Sequence, residues 1–451
     1  MIGRLRMFGA VVVCLAVGAV VPVTAQQVAG EQDLTASALS VYTPPTCVPG
    51  VPFADITCTT GFDPWIEQFG LDGITAGCGG GNYCPGTPVT RDQMAVFLEK
   101  AMRGTSNWPP HTVLLFHHQA AEANSDVNSG TELLSVVAAI PSTGSEAPSA
   151  STPWLIKVGP GIYDLGSGSL VLPVYTALEG AGQDITVIIG AGSADSGQAT
   201  VIMGDRGRLS RLAVYSWGDN TWETAVYIPP LASRVALEHV ALTANNPSND
   251  LGVAYGLYAE TNTSFSLIDS DVYVQGVSYL TGVGAFATTD ESRLDGVRVK
   301  VTASPTSAVG TGFSGNGASP VITNSRFDVT SGAHQWGIFI GSGGGTLILR
   351  DSEVHTTGPG AAVHIDSLSA TLLGDIISSA ELGVEIASGS GFSLDINSCN
   401  ITGGMFWLNN RAPGFTVTVG ASKLVGPTTS IGTTNCFGNY TGSAFLANTC
   451  P

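Results

Sequence analysis

Three side chains able to move protons, His364, Asp366 and Glu385, fall close together in the C-terminal part of the chain. Two carboxylates in reach of one glycosidic bond could serve as acid and base, and a histidine is the commonest proton carrier near neutral pH. A second group of reactive types lies near the N-terminus, where Cys78 and Cys84 bracket Gly79-Gly80-Gly81. Five residues separate these cysteines, so they lack the C-x-x-C spacing of redox and zinc sites. No histidine lies between residues 53 and 104 to complete a metal set. The glycines do not complete G-x-x-x-x-G-K-[ST] and follow no strand, which excludes a phosphate loop. A disulfide closing a short loop is the reading that remains, with no metal expected.

The elements that must hold these groups are set by composition. Lys+Arg number 17 against Asp+Glu 35, a formal net charge of -18, and that balance argues against nucleic acid or an anionic membrane as partner. Only 12% of residues are charged and 58 are glycine, a composition suited to a turn-rich all-β body. Residues 1–25 read as a signal peptide: Arg4 and Arg6, an apolar run shorter than the roughly 20 residues of a membrane span, then the small-residue step ending at Ala25. The expectation is an exported protein, extracellular or in the cell envelope, with no transmembrane segment in the mature chain. Of 8 cysteines, Cys14 leaves with the signal. Proximity then suggests the pairs Cys47–Cys58, Cys78–Cys84 and Cys436–Cys450, with Cys399 left over.

After a linker at 26–52, residues 53–104 carry two helix signatures. Asp63-Pro64 offers an N-cap and a proline at N1. Thr90 and Gln93 form a capping box, followed by Met94, Phe97, Leu98 and Ala101 on one helical face. Arg91 opposes the helix dipole in that first turn, so a partner is the better explanation for it. The segment resembles an S-layer homology domain at Phe53, Asp55, Trp65, Gly73, Ile74, Gly77, Pro85, Thr90 and Arg91. That resemblance implies docking to a cell-wall or surface polysaccharide through Trp65, Thr90 and Arg91, with Arg91 meeting an acidic sugar substituent. The family commonly uses three repeats and the chain carries one, with "TRDQ" in place of T-R-A-E.

Residues 105–153 read as a linker plus a helix that caps the open end of the C-terminal body: Ser129 and Glu132 form a second capping box. Leu133, Val136, Val137 and Ile140 make its apolar stripe, and Pro141 stops it. From 154 to 451 an apolar-x-x-X-x-apolar motif recurs, with X at Leu212, Val240, Ser270, Val297, Ser325, Ser352, Asp375, Cys399 and Ser422. Spacings between 23 and 30 residues, with β-branched residues and glycine turns, predict a solenoid. Cys399 shares the slot of Ser325 and Ser352 and is expected inside it. The opening stretch, with "KVGPGIY", resembles the first coil of pectate-lyase-like right-handed β-helices, including pectin esterases. The fold expected is therefore mainly β, a right-handed parallel β-helix with a C-terminal cap and a small N-terminal α-helical hairpin domain. No segment resembles the polygalacturonase aspartate cluster or the pectin esterase catalytic set.

A second strand in each coil reads from "GLYAE", "GAFAT", "GFSGN", "GIFIG", "AVHID", "GVEIA" and "MFWLN". Its third residue should face outward, giving a stripe of Tyr258, Phe286, Ser314, Phe339, His364, Glu385 and Trp407, with rungs about 4.8 Å apart. The next outward row holds Glu260, Thr288, Asn316, Asp366 and Asn409. Tyr258, Phe286, Phe339, Trp407, Glu260 and Asn409 are thus candidate carbohydrate contacts, since rings stack on sugars while carboxylates and amides bond hydroxyls. Aromatic stacking that merely stabilises the sheet explains the same stripe. Two functions stand: a surface-docked adhesin or polysaccharide binder, or a secreted lyase, hydrolase or esterase using His364, Asp366 and Glu385. The stripe as read holds one His and no Lys or Arg, which favours binding. No cofactor is expected, and calcium is left open.

Overall fold

The computed structural model describes residues 47–71, 73–103, 109, 111–119, 122–191, 199–218, 222–246, 252–286, 292–303, 308–330, 332–343, 345–441, 444–447 and 449–451. Residues 1–46, read above as a signal peptide and most of a linker, lie outside these, as does Thr288. The chain divides into two compact units, Met1–Ser106 and Asn107–Pro451.

In the first unit, helix α1 (Asp63–Leu71) and helix α2 (Arg91–Arg103) form the hairpin, with Phe69 and Phe97 meeting edge to face at 5.3 Å. Phe53 and Ile56 are its buried apolar anchors. The Asp55 carboxylate accepts the Tyr83 and Cys84 amides at 2.7 Å each, and those bonds hold it below the usual carboxylate range. Gly77 (φ +72) has no room for a side chain, because a Cβ would stand 2.1 Å from the Asn82 carbonyl oxygen. Disulfides join Cys47 to Cys58 and Cys78 to Cys84. The first of them draws residues 47–52 into this unit rather than leaving them as linker, and the Val48 amide donates to Glu67 at 2.9 Å. The Thr90–Gln93 capping box forms reciprocally at 3.0 and 3.2 Å. Asp63 departs from expectation. Its buried carboxylate reaches backward to the amides of Thr59 and Thr60, so it fastens the preceding loop instead of capping α1. The α2 stripe also stays largely uncovered, with Met94 and Leu98 exposed, since α1 is short and meets α2 at Phe97.

The second unit is a right-handed parallel β-solenoid. Each coil supplies strands to three faces, seen clearly where Phe265–Ile268 lies on the first, Asp271–Gly276 on the second and Tyr279–Phe286 on the third. Neighbouring coils pair in parallel, and the third face is a continuous 11-stranded sheet. Between the first and second faces the chain bends through a left-handed residue, at Arg211, His239, Asp269, Asn324, Asp351, Ser398 and Ala421. The residue after each bend is the repeat's X position, and all nine X residues are buried. The bend interrupts the backbone ladder, and side chains repair it. Ser270 Oγ accepts the Val240 amide, Ser325 Oγ the Val297 amide and Ser352 Oγ the Ser325 amide. Asp375 accepts from Ser352 at 2.9 Å, Ser422 from Cys399 and Asn439 from Ser422. Cys399 lies in this slot as a free, buried thiol, and burial pushes it up to about 11.

Opposite the bend the solenoid is thin. At Gly256, Gly282 and Gly337 a Cβ would stand 2.2 Å from Val272, Val299 and Val354 of the second face. This narrow lane makes two successive residues face inward, as at Gly337-Ile338 and Trp407-Leu408. The N-terminal end is covered by helix α3 (Ser125–Ala138), which buries Leu133 and Val137. Ser129 is not its cap. The helix starts one turn earlier, and the Ser129 hydroxyl donates to the Ser125 carbonyl at 2.6 Å and accepts the His118 amide. The stretch read as linker also holds a strand, His111–Leu115, paired in parallel with Trp154–Val158. At the far end Asn439–Thr441 and Ala444–Leu446 form an antiparallel hairpin, tied by Cys436–Cys450.

Asp375 gives the ladder a pH dependence. Burial raises its carboxyl to about 7, against the amide bonds from Ser352 and Leu373 that lower it. Between about pH 4 and 7 the folded protein therefore keeps a proton that the unfolded chain releases. The stability it contributes is complete below about 4 and lost as pH rises through 7. We expect the melting temperature to fall from pH 5 to pH 8. Asp375→Ser should remove part of that slope, at most about 4 kcal/mol for a carboxyl raised from about 4 to about 7. Equal slopes in the two proteins, followed by circular dichroism, would refute this role.

Candidate functional site

The strand register of the third face places Tyr227, Tyr258, Gly284, Ser314, Phe339, His364, Glu385 and Asn409 in one row. Tyr258, Phe339, His364 and Glu385 sit where the repeat put them. Phe286 does not: it lies one row over, beside Asn316 and Gly341. The coil's lane glycine is Gly282, so the reading from Gly284 slipped by two residues, a shift that keeps a side chain on the same side of a strand. The same slip displaced Trp407. It occupies the lane and is fully buried, so it offers no surface for a ligand. Asn409 takes its place in the row, beside Glu385.

Two aromatic clusters result. In the first, Tyr258 stacks on Tyr227 (5.7 Å, 12°) and touches Tyr255 (4.7 Å) and Phe286 (5.3 Å), while Trp222 stacks on Tyr255 at 6.0 Å. The Tyr258 hydroxyl donates to Glu260 at 3.2 Å. Burial, and then the Glu260 charge, push Tyr255 up to about 12 and raise Tyr258 as well, so both remain neutral donors. In the second cluster Phe339 stacks on His364 (4.9 Å, 13°) and Trp336 meets Phe339 at 5.0 Å and His334 at 4.3 Å. The indole Nε1 of Trp336 is buried and has no hydrogen-bond partner among the described residues. Gly284, Ser314, Thr281 and Thr311 lie between the clusters in the register, leaving a shallow interval three rungs, or about 14 Å, long.

Of the three candidate proton carriers, the fold joins two. His364 Nδ1 and Glu385 Oε2 are 2.8 Å apart, both residues nearly buried. Arg411 bonds the other oxygen of Glu385. Burial would raise the Glu385 carboxyl, but the His364 hydrogen bond and the charges of His364, Arg411 and His334 prevail and hold it below its usual range. Glu385 is thus a fixed carboxylate. It orients His364 and leaves Nε2 as the nitrogen it does not engage. Asp366 stands apart: a register shift at Ile365/Asp366 turns its strand, and its carboxylate accepts the hydroxyls of Ser367 and Ser388. Arg411, His334, Trp336, Tyr227 and Tyr255 were missed from the sequence, and Arg411 adds a cation beside a stripe read as holding one His and no Lys or Arg. Correct alignment of "WLNNR" on its lane residue would have placed Arg411 two positions beyond Asn409.

In the first unit Trp65 is 49% exposed, and Arg91, the first residue of α2, is also exposed. Thr90 is committed to the capping box. Among the described residues one group of close metal-ligand types occurs, Cys47, Cys58 and Glu67, and its cysteines are consumed in their disulfide.

No protein-family model matches the chain, and no curated protein matches it. Among solved structures, it is similar to the A-module of mannuronan C-5 epimerase AlgE6 from Azotobacter vinelandii, at 14% identity and TM-score 0.45, over 69% of this chain and 94% of that one. Pectin methylesterase PemA from Erwinia chrysanthemi is similar at 10% identity and TM-score 0.27, over 68% and 82% of the two chains. Tailspike protein 3 of bacteriophage CBA120 is similar at 12% identity and TM-score 0.33, over 79% and 70%.

Proposed function

We propose that this chain is an exported polysaccharide-binding β-helix protein, held at the cell envelope by its N-terminal unit and binding a glycan along its third face. The observation that carries the reading is the pair of aromatic clusters around Tyr258 and Phe339. Rings presented at the ends of a flat, small-residue interval suit stacking against sugar faces. Glu260, Asn409 and Ser314 supply the hydroxyl partners. For the first unit, the support is an exposed Trp65 and a helix whose first residue, Arg91, is a cation placed against the local dipole. Three disulfides suit an oxidising, extracellular setting.

A second reading, that the face also cleaves its glycan, draws on the His364–Glu385–Arg411 array. Glu385 is engaged by His364 and Arg411 and Asp366 by Ser367 and Ser388, so a mechanism with two carboxyls flanking one bond fits poorly. His364 instead has the geometry of a general base, its ring fixed by Glu385 on one nitrogen and by Phe339 on one face. Turnover would then rest on Nε2, and His364→Ala should lower it by roughly 10²–10⁴-fold, with Glu385→Gln also reducing it. Asp366→Asn should leave it nearly intact. A wild type with no turnover across neutral and acidic glycans removes this reading and leaves binding untouched.

Binding is tested by retention on immobilised polysaccharides. Tyr258→Ala combined with Phe339→Ala should cost at least about tenfold in affinity, as loss of stacking rings does, while the melting profile shows whether the coils persist. Folded variant protein that binds as tightly as wild type would overturn the reading. Docking is tested separately: deletion of residues 53–104, or Arg91→Ala, should release the protein from cell-wall preparations, and unchanged retention would refute a docking role.

A further inference from the structure

The bend between the first and second faces is the solenoid edge that does not border the third face. Most coils fill its left-handed position with residues that tolerate φ > 0 or are small, such as Asp269, Gly296, Asn324, Asp351, Gly374, Ser398 and Ala421. Two successive coils instead place long cationic or aromatic side chains there, Arg211 (φ 57) and His239 (φ 52). Strain of this kind collects at sites that use it. Beside them, the turn after Thr176–Glu179 carries Gln183 far enough along the edge to donate to Asp271 at 3.4 Å. The result is a depression of about 490 Å³ lined by Gly182, Gln183, Arg211, His239 and Asp269.

Its polar groups are incomplete. Gln183 Oε1 is buried with no hydrogen-bond partner among the described residues, although a buried acceptor ordinarily has one. Several arginines elsewhere on this unit are paired, as in Arg208–Glu238, Arg298–Asp271 and Arg326–Glu353, while Arg211, like Arg350, has no ion pair among the described residues. Asp269 lies 3.8 Å from His239 Nε2. The depression therefore offers a guanidinium with no ion pair among the described residues, one buried acceptor in need of a donor, and the exposed His239–Asp269 pair.

We propose that this edge is a second ligand site, independent of the third face, for a uronic acid residue. Its carboxylate would meet Arg211, in the fork geometry that guanidinium favours, and neighbouring hydroxyls would donate to Gln183 Oε1 and Asp269. A neutral hexose leaves Arg211 without its counter-charge. An inorganic anion without an O–H, such as sulfate, leaves Gln183 Oε1 without a donor.

The test is saturation-transfer NMR and calorimetry on the full chain, with D-glucuronate as probe and D-glucose and inorganic sulfate as controls. Glucuronate should bind, with neither control competing. Arg211→Gln and Gln183→Leu should each weaken it about tenfold, the loss of one charge-assisted or buried hydrogen bond. Tyr258→Ala should leave it unchanged, which separates this site from the third face. Absence of glucuronate binding, equal competition by sulfate, or full binding by folded Arg211→Gln protein would each overturn the proposal.

Discussion

A parallel solenoid must turn its backbone three times per coil, and each turn takes amide groups out of the ladder that joins one coil to the next. The bend between the first and second faces is where this constraint is sharpest, because it is tight, left-handed and directly above the core. An amide buried there without a partner would cost roughly 1–3 kcal/mol per coil. Where the next coil brings a serine, aspartate or asparagine after its bend, that side chain solves the problem. Serine does so most economically, its Oγ accepting from the coil before while donating to a carbonyl of its own bend, as Ser325 and Ser352 do. Asp375, with two acceptor oxygens, takes the Ser352 and Leu373 amides together. Its raised carboxyl results from burying an acid where the neighbouring coils place the alcohol of Ser352 and the thiol of Cys399.

The same economy of space shapes the third face. Where the solenoid pinches to a glycine's width, that strand must turn two residues inward in succession, and strict alternation resumes only beyond them. The outward positions after the pinch therefore line up from coil to coil with little freedom. Rings at Tyr227 and Tyr258, and again at Phe339, stack because the backbone holds them one rung apart. His364 joins the second stack for that reason and meets Glu385 on the next rung. Side chains brought together by a rigid repeat are held closely without loops to position them, a favourable setting for a binding face.

Much of this was legible in the sequence. The slot holding Ser325, Ser352 and Cys399 was visible as a period, since a buried small residue recurs wherever the coil recurs. The coil's own geometry was less visible. Nothing in the identity of Arg211 or His239 announces a positive φ, so the bend that precedes each slot escaped notice. The outward row was recovered at Tyr258, Phe339, His364 and Glu385 and lost at Phe286 and Trp407, both by two residues. Alternation alone cannot detect such a slip, because it returns every side chain to the same side. The cue that could have detected it is the lane glycine, Gly282 rather than Gly284, and that cue is steric and depends on Val299 of the facing sheet. Arg411 was lost through the same misalignment, and with it a cation that helps keep Glu385 ionised despite burial.

Charge then separates the two surfaces. The chain is strongly acidic, at -18, and on the third face its cation is spent: Arg411 is bound to Glu385, whose second oxygen holds His364. What that face has to offer a ligand is ring surface, hydroxyls, amides and the carboxylates of Glu260 and Asp366. These suit uncharged sugars and would oppose a polyanion lying along the same row. The edge at Arg211 has the reverse balance, a guanidinium with no ion pair among the described residues, where Arg208, Arg298 and Arg326 each have one. If both surfaces take sugars, they select for opposite features, stacking faces in one case and a carboxylate in the other. A heteropolymer carrying both kinds of residue would be able to engage the two surfaces of one solenoid, each contributing what the other lacks.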